Sequence, residues 1–341
     1  MMASRATSWL TTRRTAYTLG AVLGIGFLAG VLPREQFVFF IQSALMFSTP
    51  LLFASLGELV AQKVGLINIG LEGYVLAGAF GGFAAASMSG SLWLGVGAAI
   101  LAGLLFAALF GVMCVSLRND QIVTGAALNF LALGATGLLY RVSYGATGST
   151  QTVDPFQPWD LPVLSRLPYL GPALFGQTSL TYLALLIGVL LAALFRYTRL
   201  GFHLAAVGEH PRAADAAGIP VTFVRWMAVL YEGVLGGLAG ATLSLASSNT
   251  FNEEMSNGRG FIAIAIVIFG RWTPLGTVGA ALFFGAAESL QLLLQASEKA
   301  VLRENYPYLQ MLPYLVTLLV LTAALGKARP PRAMGQHYHR E

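Results

Sequence analysis

The sequence predicts an all-α polytopic membrane protein, and three observations carry that prediction. Of 341 residues, 56% are apolar and 10% charged, with a mean hydropathy of +0.70. Soluble domains carry about 25% charged residues, so this chain cannot clothe itself in polar side chains and its solvent must be lipid. The apolar residues are also gathered into runs of about 20, the length a helix needs to cross hydrocarbon. Finally, Lys and Arg fall unevenly between the runs, as the positive-inside rule expects.

Arg5, Arg13 and Arg14 precede the first run, 16–32. The pattern resembles a signal peptide, but no small-x-small cleavage site follows before Pro33-Arg34-Glu35. It reads as a retained span behind a short tail, 1–15. Further runs cover 37–57, 64–87, 91–116, 121–140, 179–195, 223–246, 258–270, 274–296 and 310–326, making about ten crossings. The eighth is short. Phe261 to Gly270 rises only about 15 Å at helical pitch, so this span either starts earlier, around Ser256, or is a half-helix.

With the N-terminus inside and the runs alternating, Arg34, Arg141, Arg166, Arg259, Lys299 and Arg303 fall outside. The rest of the 20 basic residues fall inside. Without the eighth span, Arg271 and the C-terminal basic cluster would move outside. The asymmetry supports ten spans with both termini cytoplasmic, the second tail being 327–341. Two sets of five would be inverted in the membrane, a plan common among transporters, although only the count suggests it. Glycines four apart, as in Gly78/Gly82, Gly233/Gly237 and Gly236/Gly240, let helix backbones approach closely in lipid.

Polar residues inside the spans point to function. In VGLINIGLEGYVLAGAF, residues 64–80, a helix would place Asn68 and Glu72 on one face, and Gly65, Gly70 and Gly73 interrupt the stretch. A carboxylate at mid-membrane costs roughly 2.5–3.5 kcal/mol on insertion scales, so Glu72 should face other helices or a water-filled path. Glu232, Glu288 and the neutral Asn129 raise the same question. Two readings stay open: a polar translocation path, or interhelical hydrogen bonds that fix packing.

The wettest interior stretch is 196–222, RYTRLGFHLAAVGEHPRAADAAGIPVT. Pro211 suits the first position of a helix, where its missing N–H is no loss. Gly218 can end that helix in a left-handed conformation, and Pro220 discourages its return. The turns between them, Arg212-Ala213-Ala214-Asp215-Ala216-Ala217, form a smooth knob suited to a socket on a partner protein. A plain connecting loop is the alternative. Among the outer segments, 141–178 is long, proline-rich and aromatic. A structureless loop of that length is usually functional or folded back on its neighbours.

Other chemistries find little support. There is no G-x-x-x-x-G-K-[ST] segment to hold ATP. His203, His210, His337 and His339 show no metal-ligand spacing, and the lone Cys114 allows no intrachain disulfide. The basic residues are dispersed between apolar runs, which argues against nucleic acid as a partner. No nucleophile, base or metal cluster recurs at one membrane face, so an embedded enzyme is also disfavoured.

GLINIGLEGYVLAGAF, VGEHPRAADAAGI, GRGFIAIAIVIFGRWTPLG and MLPYLVTLLVL together resemble the permease subunits of bacterial ABC importers. The similarity spans about 40–335, within the group that handles nucleosides, simple sugars and branched-chain amino acids. TVDPFQPWDLP and PYLGPALFGQ are similar to the nucleoside branch.

The resemblance implies a transport subunit in the bacterial cytoplasmic (inner) membrane. It implies a second permease, identical or homologous, a cytoplasmic ABC ATPase that holds ATP and Mg, and an extracytoplasmic binding protein, with no cofactor in this chain. It makes Gly208, Glu209, Pro211, Arg212, Ala213, Ala214, Asp215 and Gly218 the ATPase-coupling residues. Asn68, Glu72, Asn129 and Glu232 become candidates for the path, and Arg141, Arg166, Arg259 and Arg303 for docking the binding protein. A nucleoside is the expected solute, with a pentose or other simple sugar next. A proton-driven secondary transporter using Glu72 or Glu232 would look much the same in sequence.

Overall fold

The computed structural model describes residues 33–145, 151–160, 170–295 and 329–339, with Met311, Leu315 and Leu318. The expected first span, 16–32, lies outside the described residues, as does nearly all of the last, 310–326. Among the described residues, six helices are long and apolar enough to cross a membrane.

In chain order the helices are α1 (Arg34–Lys63), α2 (Leu71–Ser89), α3 (Leu92–Phe110) and α4 (Gln121–Tyr144). After them come α5 (Leu170–Phe175), α6 (Ser179–Tyr197), α7 (Arg199–Glu209) and α8 (Pro211–Ala216). The last three are α9 (Val221–Ala241), α10 (Arg259–Phe269) and α11 (Pro274–Gln295). Helices α3 and α9 each end in a π-helical turn, Gly111–Ser116 and Thr242–Ser247. A two-residue antiparallel ladder, β1 (Trp159–Asp160) with β2 (Gly176–Gln177), ties together parts of the long 141–178 segment. That segment folds back: Val153 N–H donates to Asn249 O at 2.9 Å, and Phe156 packs edge-on against Trp93.

Helices α1, α2 and α9 form the buried centre, with α3, α4, α6, α10 and α11 around them. Glycine makes the tightest crossings. A Cβ on Gly78 of α2 would lie 2.8 Å from the Cα of Gly237 on α9, so any side chain there would push the helices apart. Without a hydrophobic drive between helices in lipid, such close backbone packing is a main source of association.

Two expectations change, and the eighth run takes one of its two expected forms. Helix α1 runs past 57 to Lys63, straight through Pro50, so the first polar residues after the apolar run stay helical. The expected span 64–87 is not one helix. Residues 64–70 break the chain, and α2 starts only at Leu71. Asn68 and Glu72 therefore do not share a helical face, because Asn68 belongs to the break. The glycines explain this: Gly65 takes a φ of +86°, which helical residues cannot adopt. The eighth run resolves as a half-helix of 11 residues, α10, entered through a turn in which Glu254, Asn257 and Gly258 all have positive φ.

Candidate translocation cleft and coupling face

The break at 64–70 puts unpaired backbone inside the bundle, where each orphaned polar group is costly. Helix α4 supplies the partners. Gln121 Oε1 accepts from Ile67 N–H at 2.8 Å. Asn129 donates from Nδ2 to Ile69 O at 2.9 Å and accepts from Gly73 N–H at 2.8 Å. Asn68 accepts from Gly70 N–H at 2.9 Å and caps the break from within.

Glu72 does the same for the second interruption. Its Oε1 accepts from Gly258 N–H at 2.7 Å and its Oε2 from Gly260 N–H at 2.6 Å. A carboxylate against the first amides of α10 meets the positive end of the helix dipole and two otherwise unsatisfied donors. Gly260 sits so close to Glu72 that no side chain would fit.

Beside this junction opens a cleft of about 430 Å³ between α2, α4 and the turn before α10. Its lining includes the polar residues Glu72, Asn129, Ser256 and Asn257 and the apolar residues Leu76, Leu133, Phe130 and Phe261. Phe130 is 74% exposed and Phe261 48%. Irregular backbone within a membrane protein is tolerated where it lines a cavity, and the turn before α10 lines this one.

Of the four path candidates, Glu72 and Asn129 line this cleft, whereas Asn68 and Glu232 are fully buried in the core. Glu232 belongs to a second polar cluster that the sequence reading passes over. Its side chain packs against Gly57 of α1, next to the fully buried Glu58, and both its carboxyl oxygens are buried without a hydrogen-bond partner among the described residues. Gln62 Nε2 donates to Glu58 Oε1 at 2.7 Å, and Trp272 Nε1 donates to Gln62 Oε1 at 2.6 Å. The cluster ties α1 to α9 and to the α10–α11 turn. Ending the apolar run at 57 hides Glu58 and Gln62; the helical period continued through SLGELVAQK would have found them.

At the C-terminal end of α4, Arg141 makes a two-pronged pair with Glu253, both contacts 2.7 Å. The guanidinium holds the Glu253 carboxyl below its usual range. Arg259 is half-buried and lies 3.6 Å from Glu288 of α11, so its charge is engaged within the bundle. Arg166 and Arg303 lie outside the described residues.

The 196–222 stretch folds as two short helices. Pro211 opens α8 at its first turn. Gly218 closes it at φ +85°, with Gly218 N–H donating to Asp215 O at 2.9 Å and Ile219 N–H to Ala214 O at 3.0 Å. Arg212 and Ala213 face outward, Asp215 is half-buried, and Ala214 is buried against the bundle. Gly208, at the end of α7, is pressed against the Lys63 carbonyl, while Glu209 is exposed beside Arg332 at 3.9 Å.

The family model for the branched-chain amino acid transport system permease component matches residues 40–322. The chain belongs to that permease family. It is thus a multi-pass membrane subunit of an ABC importer, without an ATPase domain of its own, and the family works with ATPase and binding-protein partners. Family membership sets aside the proton-driven alternative. The permease is 38% identical over 305 residues to a nucleoside ABC transporter permease protein of Lactococcus lactis, covering 87% of this chain and 96% of that one. It is 36% identical over 307 residues to a guanosine ABC transporter permease protein of Bacillus subtilis, covering 87% and 95%. A protein of Haloferax volcanii named for glucose ABC transport is 36% identical over 320 residues, covering 86% and 95%. In fold, the permease is similar to an ABC transporter assigned to the metal-chelate type and captured facing inward. The TM-score is 0.50 at 16% identity, over 84% of this chain and 86% of that one.

Proposed function

We propose that this permease carries a nucleoside, and that the cleft between α4 and the mouth of α10 is part of its path. The observation that carries the reading is the cleft's composition. Two exposed phenyl rings, Phe130 and Phe261, line about 430 Å³ together with the amide side chains of Asn129 and Asn257 and the hydroxyl of Ser256. A flat base can lie against aromatic faces while hydroxyls and ring nitrogens meet Asn257 and Ser256. The nucleoside and guanosine relatives support the same class. A simple sugar is the second reading, favoured by the glucose relative at similar identity.

The fuller plan follows from the family and the charge pattern. The permease domain covers 16–326 in ten spans, as two inverted sets of five, with the tails 1–15 and 327–341 cytoplasmic. The 196–222 loop is cytoplasmic, and α8 with Gly208, Glu209 and Gly218 meets the ATPase, which holds ATP and Mg. A second permease, identical or homologous, completes the path. The 141–178 loop faces outward, where Arg141, with Arg166 and Arg303, offers charge to a binding protein. Arg259 is a weaker docking candidate because its side chain is only 20% exposed, whereas that of Arg141, although paired with Glu253, is 62% exposed.

The test is solute competition in energised membrane vesicles that hold the complete transporter and its binding protein. Labelled guanosine should accumulate with ATP and be displaced by unlabelled nucleosides but not by glucose or ribose. Accumulation of sugar with no nucleoside uptake would reject the nucleoside reading and leave the importer assignment intact.

A further inference from the structure

Residues 329–339 lie against the face that carries α7 and α8. Ala333 N–H donates to Gly208 O at 2.9 Å, and Gly335 N–H donates to Gly65 O at 2.9 Å. Pro331 and Ala333 are buried. Arg225, buried at the start of α9, donates from Nε to Val64 O at 3.2 Å and from Nη1 to Gln336 O at 3.0 Å. One segment is thus hydrogen-bonded to the last turn of α7, just before α8, and to the break between α1 and α2. A Cβ on Gly65 would lie 2.8 Å from the Ala333 carbonyl, so the close fit depends on glycine there.

That same break leads directly into Glu72, whose carboxylate holds the mouth of α10 at the cleft. Helix α8 and the cleft are therefore joined through a short run of hydrogen-bonded backbone, and the C-terminal segment closes the end of that run nearest α8.

We propose that 329–339 is a positioning strap, which fastens α7 and α8 to the 64–70 break so that displacement of α8 reaches Glu72 and the mouth of α10. The proposal rests on the coupling reading of α8. Apart from the strap, Gly208 of α7 lies close against the Lys63 carbonyl and the Gly65 amide at the start of the break. With it, two loops become one hydrogen-bonded body. A contact network transmits force only if it biases an element with two arrangements, and the proposal assigns that part to the half-helix α10, whose mouth is held by Glu72.

The experiment uses the complete transporter in proteoliposomes with its binding protein. One variant ends at residue 328. The other, Ala333→Glu, forces a charge into a buried position and lifts the strap at full chain length. Both should assemble with the ATPase and hydrolyse ATP. Solute moved per ATP should fall about fivefold or more, the scale of a typical coupling energy. Amide exchange over 64–70 should quicken, and an added peptide of the 329–341 sequence should restore the ratio in the truncated form.

An unchanged ratio in Ala333→Glu would overturn the strap. So would loss of the ATPase from the complex, which would make the segment a docking element, and so would failure of both variants to reach the membrane, which would make it a folding element. Ala213→Glu keeps the two ideas apart. If it uncouples while Ala333→Glu does not, only the strap fails. If it stays fully coupled, the coupling reading of α8 fails.

Discussion

At Glu72, both carboxylate oxygens are occupied by amides of the α10 mouth, while one side of the residue lines the cleft. It holds the mouth of α10 in place and lines the cleft proposed as a path, so both readings its position allows can be tested at this one residue. Glu72→Gln keeps one acceptor but turns an NH₂ toward an N–H. The variant should lose about 1–3 kcal/mol, the penalty for an unsatisfied buried donor. A lower melting temperature for the purified assembly is expected; an unchanged one would show that α10 does not need the carboxylate. Glu253 makes a second residue-level case. Arg141 depresses its carboxyl, so the pair's contribution is present above the ordinary glutamate value of about 4.3 and fades only as pH falls through the depressed one. Amide exchange of 249–258 should stay slow when the pH is lowered to the ordinary value, and Arg141→Gln should make it pH-sensitive there. Exchange that quickens equally in both proteins would argue against the pair. The effect is small, because the pair is solvent-exposed.

At the scale of elements, α8 gives the sharpest prediction, because its alanines are not equivalent. Ala213 is exposed and Ala214 is 4% exposed. Ala213→Glu should leave melting temperature and insertion unchanged and abolish ATP-coupled uptake. Ala214→Glu should lower stability by burying an unpaired charge. Equal effects on stability would contradict this orientation. The helix itself is legible in the sequence, since Pro211 and Gly218 mark its ends through backbone rules that act locally. The half-helix α10 is legible for a similar reason: too few apolar residues precede Gly270 to cross alone. The break at 64–70 is harder. Its glycines are visible, but a spacing of four between Asn68 and Glu72 suggests one helical face. Only the partners from α4, Gln121 and Asn129, show why the chain can unwind there. The packing of Glu232 against Gly57, next to Glu58, cannot be read from sequence at all, since nothing local links α1 to α9.

For the whole molecule, the buried centre of α1, α2 and α9 is a fixed frame, and the irregular segments at 64–70 and before α10 are set into it. The class follows from composition, which acts along the entire chain. The cleft does not, because it is made by three separate stretches that meet only in the fold. Its role as a path is the central claim. The most direct measurement is thiol accessibility at position 261, using Phe261→Cys in a Cys114→Ala background within the complete transporter. Cys114 is buried and is the chain's single cysteine, so its removal clears the competing thiol. A small water-soluble reagent should label the introduced thiol, a nucleoside delivered by the binding protein should slow the labelling, and trapping the ATPase with vanadate should change its rate. Labelling that ignores both nucleoside and nucleotide state, with uptake undiminished after a bulky adduct is attached, would place the path elsewhere.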